Sequence, residues 1–143
     1  MKYILDTCVV SDFFKKIPNV ISQFEKNSPS LLAISSITVL EVEYGLAINP
    51  ERAIKLEPLW KALIRQIQII PFTNEDARIT AQLQCYLKNK GTLIGAYDAL
   101  LAGTALNRKV TFVTSNTREF IRVPHLRLED WRKNISQTTS IEA

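Results

Sequence analysis

Short apolar runs alternating with stretches of helical spacing constrain this chain more than any other feature. The runs are Tyr3-Ile4-Leu5, Leu31-Leu32-Ala33-Ile34, Ile67-Gln68-Ile69-Ile70 and Val110-Thr111-Phe112-Val113, with Leu126-Arg127-Leu128 as a candidate edge strand. Each is too short for a helix and is bounded by polar, turn-forming or proline residues. Between them, helical spacing is expected from Val9 to Lys16, from Pro18 onward, and from Ile37 to the Asn49-Pro50 stop. A long helix follows from about Glu51 to Arg65, kinked or split at Pro58. Thr73 and Asp76 resemble a capping box opening Ala77 to Lys88, and Gly95 to Asn107 is helical and almost wholly apolar. Strands alternating with helices predict a mostly parallel sheet covered on both faces, an α/β three-layer sandwich with four or five short strands. From Lys133 onward no periodicity remains, so residues 1–132 are expected to form the domain and 133–143 a loose tail.

The 143 residues, 46% apolar and 22% charged, suit one globular domain. No apolar run approaches membrane-spanning length, and the N-terminus enters a strand pattern directly rather than a signal-peptide layout. Cys8 and Cys85 lack metal-ligand spacing and read as small buried hydrophobes in a reducing cytosol. A cytoplasmic protein without membrane contact is therefore expected. The net charge of +4 permits a polyanionic partner without demanding one.

The chemistry lies in isolated acids. Asp6 follows the first strand at once, and in open α/β sheets ligands sit beyond the carboxyl ends of the strands. The plainer alternative is that Asp6 or Thr7 only caps the next helix. Asp98 is the only charged residue between Lys90 and Arg108, in helical register with Ile94, Leu101 and Ala105. A lone carboxylate on a buried face costs several kcal/mol unless it is paired, protonated or bound to a cation. Glu41 ends an uncharged stretch that begins at Asn27, although Thr38 and Glu41 also have capping-box spacing. Ser115, Asn116 and Glu119 follow the strand ending at Val113 and would project into the crevice expected for Asp6.

Clustered carboxylates repel one another, and some take up protons unless a cation intervenes. Hard ions such as Mg²⁺ or Mn²⁺ prefer oxygen ligands and assist hydrolysis of phosphodiesters. His125 is the only histidine, which excludes zinc sites of several histidines and argues against a Ser-His-Asp triad. No glycine-rich nucleotide motif is present. Two other strand-end acid chemistries compete. A receiver-like Mg²⁺-binding signalling domain would need an acidic pair after the first strand. A haloacid-dehalogenase-type phosphotransferase would need Asp at position 8, which is Cys8.

Four stretches together resemble the PIN-domain ribonucleases, and within them the VapC toxins of bacterial toxin–antitoxin pairs. They are Ile4-Leu5-Asp6-Thr7; Ser36-Ile37-Thr38 through Glu41 to Tyr44-Gly45; Ile94-Gly95-Ala96-Tyr97-Asp98 with Leu101-Ala102; and Val113 through Phe120 with Arg122-Val123. The resemblance spans Met1 to about Trp131. It implies an endoribonuclease dependent on Mg²⁺ or Mn²⁺, with catalytic acids Asp6, Glu41 and Asp98 and a fourth position near Asn116 or Glu119. Asp6 and Asp98 would ligate the metal directly, and Glu41 would bind it or orient water. Thr7 and Ser115 match positions that support the acids. Many PIN domains carry Asp where this chain has Asn116, and Glu119 is the candidate to restore that charge. The family further implies a homodimer, a VapB-type antitoxin lying across the acidic groove, and structured RNA, often tRNA, as the substrate whose cleavage represses translation. Arg118, Arg122 and Arg127 with Lys15 and Lys16 are candidates to hold the RNA backbone, or else ordinary surface charges. A catalytically impaired PIN module that only binds RNA or protein is the remaining alternative, motivated by Asn116.

Overall fold

In chain order, the computed structural model, which describes residues 1–138, contains β1 (Tyr3–Leu5), α1 (Thr7–Phe14), α2 (Pro18–Lys26), β2 (Leu32–Ser35), α3 (Ser36–Ile48), α4 (Pro50–Gln66) and β3 (Gln68–Ile70). There follow α5 (Asn74–Asn89), α6 (Ala96–Arg108), β4 (Thr111–Val113), α7 (Thr117–Phe120), β5 (Arg127–Asp130) and β6 (Ile135–Thr138). The strands form one sheet in the order β3-β2-β1-β4-β5-β6. The pairs from β3 through β5 are parallel, and β6 is antiparallel to β5.

Each strand divides its side chains between two cores because successive residues point to opposite faces. Tyr3 and Leu5 join Ile34, Val10, Trp60 and Leu63 on one face, against α1, α2 and α4. Ile4 joins Phe112, Leu83, Leu101 and Phe120 on the other, against α5, α6 and α7. This is the three-layer arrangement expected from the alternation. Packing of α5 against α6 is close enough to require a glycine: a Cβ on Gly103 would fall 1.9 Å from Thr80 Oγ1.

Several expectations need correction. Among the described residues the sheet has six strands, and β5 is interior rather than an edge. Ile135–Thr138 pairs with β5, so the tail expected from Lys133 is ordered as an edge strand over that span. Its single apolar residue, exposed Ile135, gives the weak pattern of an edge strand facing water. The rest of that expectation, 139–143, lies outside the described residues. Pro58 does not split α4. It sits on the exposed side of the helix, where water can satisfy the carbonyl that proline leaves without a donor. Cys85 is exposed and Cys8 only partly buried, so neither is the buried hydrophobe expected. Among the described residues no helix is long and apolar enough to cross a membrane.

Candidate active site

The chain leaves β1 for β2 on one side and later returns to β4 on the other, so the strand order reverses at the β1–β4 pair. Ligands of open α/β sheets collect at the carboxyl ends of strands where this happens. Leu5 pairs with Val113, which sets Asp6 beside Thr114. The Asp6 N–H donates to the Val113 carbonyl at 2.8 Å.

Asp6 is both a helix cap and a member of the site. It is the N-cap of α1, its Oδ1 accepting from the Thr7 N–H at 2.8 Å. Its Oδ2 accepts from the Thr114 hydroxyl at 2.8 Å and from the Cys8 thiol at 3.5 Å. Burial pushes the Asp6 pKa up and the Glu41 charge adds to it, while these hydrogen bonds oppose the rise. The Cys8 Sγ also accepts from the Ser115 N–H and hydroxyl, each at 3.4 Å. Ser115 thus reaches Asp6 through sulfur rather than by direct contact.

Glu41 enters from α3. The cap of that helix is Ser35, whose hydroxyl accepts from the Ile37 N–H at 3.0 Å, so Thr38 and Glu41 form no capping box. Thr38 is buried inside the first turn, and Glu41 Oε1 accepts from the Thr7 hydroxyl at 2.7 Å. Thr7 therefore ties α3 to the end of β1.

Asp98 is the third residue of α6 and is half-buried. The buried stripe expected around it begins one turn later, at Leu101, and the helix presents Asp98 where the stripe opens to the crevice. Its pKa is raised to about 7, by burial first, then by the charges of Glu119, Asp6 and Glu41. Acids from widely separated segments thus act on one carboxyl group. Glu119, from α7, accepts from the Gly95 N–H and from Asn116 Nδ2, each at 2.7 Å. The Gly95 N–H is the main cause of its lowered pKa. A Cβ at Gly95 would sit 3.1 Å from Asp98 Oδ2.

An open crevice of ≈ 390 Å³ is lined by Glu41, Gly95, Ala96, Tyr97 and Asp98. Thr7 also lines a second pocket of ≈ 160 Å³, whose walls are the apolar Phe14, Val42, Leu46 and Leu56 with Ser11 and Arg52. Among the described residues no three His, Cys, Asp or Glu side chains close into a metal cage. The donors facing the crevice are carboxylate oxygens, a set that fits a hard divalent cation and not zinc or copper.

The basic residues divide. Arg122 acts on Glu119 electrostatically and donates to the Leu93 carbonyl at 3.0 Å, and Arg118 is exposed on α7. Lys15 and Lys16 are exposed past the far end of α1, about 12 Å along the axis from Thr7. Arg127 begins β5 at the amino end of the parallel strands, opposite the end that carries the acids, and binds the Lys109 carbonyl. The site thus gathers Asp6, Glu41, Asp98, Glu119, Thr7, Ser115, Asn116 and Arg122, but not Lys15, Lys16 or Arg127. The site also includes Thr114, fully buried and bonded to Asp6, which no sequence motif singles out as a site residue. Its place just after β4, parallel to Asp6, was the available signal. No acid ends β4, and Asp98 lies in a helix, contrary to a receiver-like or phosphoaspartyl design.

Residues 3–126 match the PIN domain. The chain is 35% identical over 133 residues to the tRNA(fMet)-specific endonuclease VapC of Salmonella typhimurium, covering 92% of this chain and 98% of that one. It is 33% identical over 137 residues to the ribonuclease VapC2 of Rickettsia felis, with 93% and 100% covered. Among solved structures it resembles VapBC2 from Rickettsia felis bound to a DNA fragment from its promoter, with a TM-score of 0.83, 30% identity, and 92% and 99% covered.

Proposed function

The chain belongs to the PIN-domain family, among its VapC ribonucleases, and from that premise we propose that it is a Mg²⁺- or Mn²⁺-dependent endoribonuclease, the toxin of a toxin–antitoxin pair. One observation carries the reading: Glu119, Asp6 and Glu41, from distant parts of the chain, gather close enough to Asp98 to act on its carboxyl, whose pKa burial first and then these charges push up. Such a cluster has no evident structural use, because like charges held together destabilise the fold. Asp6, Asp98 and Glu41 would hold the cation. When bound, that cation offsets their charge and serves as a Lewis acid toward a phosphodiester. The chain's own groups orient the acids. Thr114 and the Thr7 N–H hold Asp6, and the Thr7 hydroxyl turns Glu41 toward the crevice. Arg122 and Arg118 contribute positive charge toward RNA phosphates at the α7 rim.

The substrate class that the Salmonella relative's name supports is tRNA, and its cleavage would repress translation in the cytoplasm. The partner is a VapB-type antitoxin crossing the crevice, with an apolar side chain in the pocket walled by Phe14, Val42, Leu46 and Leu56. The exposed stripe Leu40, Tyr44 and Ile48 on α3 supports a homodimer. Light scattering on the Tyr44→Asp variant tests that face: an unchanged dimer rules it out. For the activity, purified protein is incubated with tRNA and Mg²⁺ or Mn²⁺, with and without EDTA. Cleavage that EDTA stops supports the proposal. Cleavage that persists in EDTA, or intact tRNA at every metal concentration, contradicts it.

A further inference from the structure

Gly95 is the N-cap of α6 and brings no side chain to that helix end. The first amides of a helix need outside acceptors. Glu119 supplies one from another element, its Oε1 accepting from the Gly95 N–H at 2.7 Å. Its Oε2 is also engaged, by Asn116 Nδ2 at 2.7 Å. Three residues on, Arg122 grips the same α5–α6 loop from its other pole, donating to the Leu93 carbonyl at 3.0 Å. Asn116 continues the chain of bonds: its N–H donates to the Thr114 hydroxyl at 3.0 Å, and Thr114 donates to Asp6. One path of hydrogen bonds thus runs from the β1 acid to the residue that opens the helix carrying Asp98.

Resting on the nuclease reading, we propose that Glu119 is a positioning residue, a clasp that Asn116 loads and that holds the start of α6 so that Asp98 faces Asp6, and that it is not a ligand of the cation. The amide at position 116 then has its own purpose. An Asp there would offer Glu119 a second acceptor and no hydrogen. It would open the clasp rather than complete a set of four acids.

The two roles predict opposite signs. As a clasp, Glu119→Gln retains function, since its carbonyl takes the Gly95 N–H and Asn116 rotates its amide to present oxygen. Glu119→Ala and Asn116→Asp lose roughly ten- to a hundredfold in kcat on tRNA with Mn²⁺, the scale of a lost charge-assisted hydrogen bond. Hydrogen exchange at the Gly95 amide, followed by NMR, reads the clasp with no cleavage involved. It speeds up in Glu119→Ala and Asn116→Asp and stays slow in Glu119→Gln. The proposal is overturned if Glu119→Gln is as inactive as Glu119→Ala, if Asn116→Asp equals or exceeds the wild type in activity, or if Gly95 exchange is unchanged in Glu119→Ala. A wild-type chain that leaves tRNA intact sinks the nuclease reading, while Gly95 exchange still decides the clasp.

Discussion

Asp76 and Asp98 hold the same position, third in the first turn of their helices, and their surroundings drive them in opposite directions. Asp76 is fully buried and surrounded by donors. Arg108 donates to it at 2.6 and 3.2 Å, Asn107 at 2.7 Å and the Thr73 N–H at 2.9 Å. Burial alone pushes its pKa up, yet these bonds outweigh burial and leave it below the usual carboxylate value. Asp98 is less buried, but the groups facing it are other acids, and its pKa rises to about 7. Residue type and helix position therefore do not separate a structural acid from a working one. Their partners do: one acid is complete within the protein, and the other faces like charges.

The sharpest way to break this contrast is to neutralise each acid in turn. If Asp98 ligates the cation as proposed, Asp98→Asn should cost more activity than the roughly 10–100-fold lost when a residue supporting a ligand is changed. Its melting temperature in EDTA should rise, since a repelled charge has gone. A lower melting temperature would place Asp98 with the structural acids. Asp76→Ala should do the reverse, costing about 3 kcal/mol in denaturant titrations by leaving Arg108 without its buried partner. Activity per folded molecule should hold. Loss of activity at unchanged stability would undo the distinction.

Removing the Thr114 hydroxyl is a smaller test. Thr114→Val should cost about 1 kcal/mol and a modest part of the activity, because Asp6 keeps its bond to the Thr7 N–H. The subtlest test is pH. Asp98 binds its proton more tightly folded than unfolded, so metal-free stability should fall as pH rises from its ordinary 3.8 to about 7. Asp76 runs the other way: its contribution is present above the ordinary carboxylate range and lost as pH falls through its lowered folded value. Thermal melts in EDTA of Asp98→Asn against wild type isolate the first slope, which vanishes if the assignment is right.

The same comparison shows what the sequence disclosed. Strand–helix alternation gave the layers, because periods of two and 3.6 leave different apolar patterns. Asp98 stood out as one acid in an apolar stretch, and Asp6 by its place after a strand. Glu41 gave a weaker signal, because Thr38-x-x-Glu41 imitates a cap that Ser35 in fact supplies. Thr114 and Gly95 gave only a weak signal, since a threonine after a strand and a glycine before a helix are common local chemistry. Their contribution is a matter of register: Leu5 beside Val113, and Glu119 reaching Gly95 across elements. β6 escaped notice because a solvated edge strand carries almost no alternation. The basic residues divide on the same ground: Arg118 and Arg122 stand on or beside α7. Charge was visible, but Arg127 and the Lys15-Lys16 pair lie away from the acids along their elements, which composition cannot reveal.

The central claim is that the acid ending β1 and the acid opening α6 share a cation. Soaking crystals of the protein in Mn²⁺ and locating the ion by its anomalous scattering tests it most directly. The account predicts an ion liganded by carboxylate oxygens of both Asp6 and Asp98. An ion held by only one of them, or bound elsewhere while this crevice stays empty at saturating Mn²⁺, would contradict it.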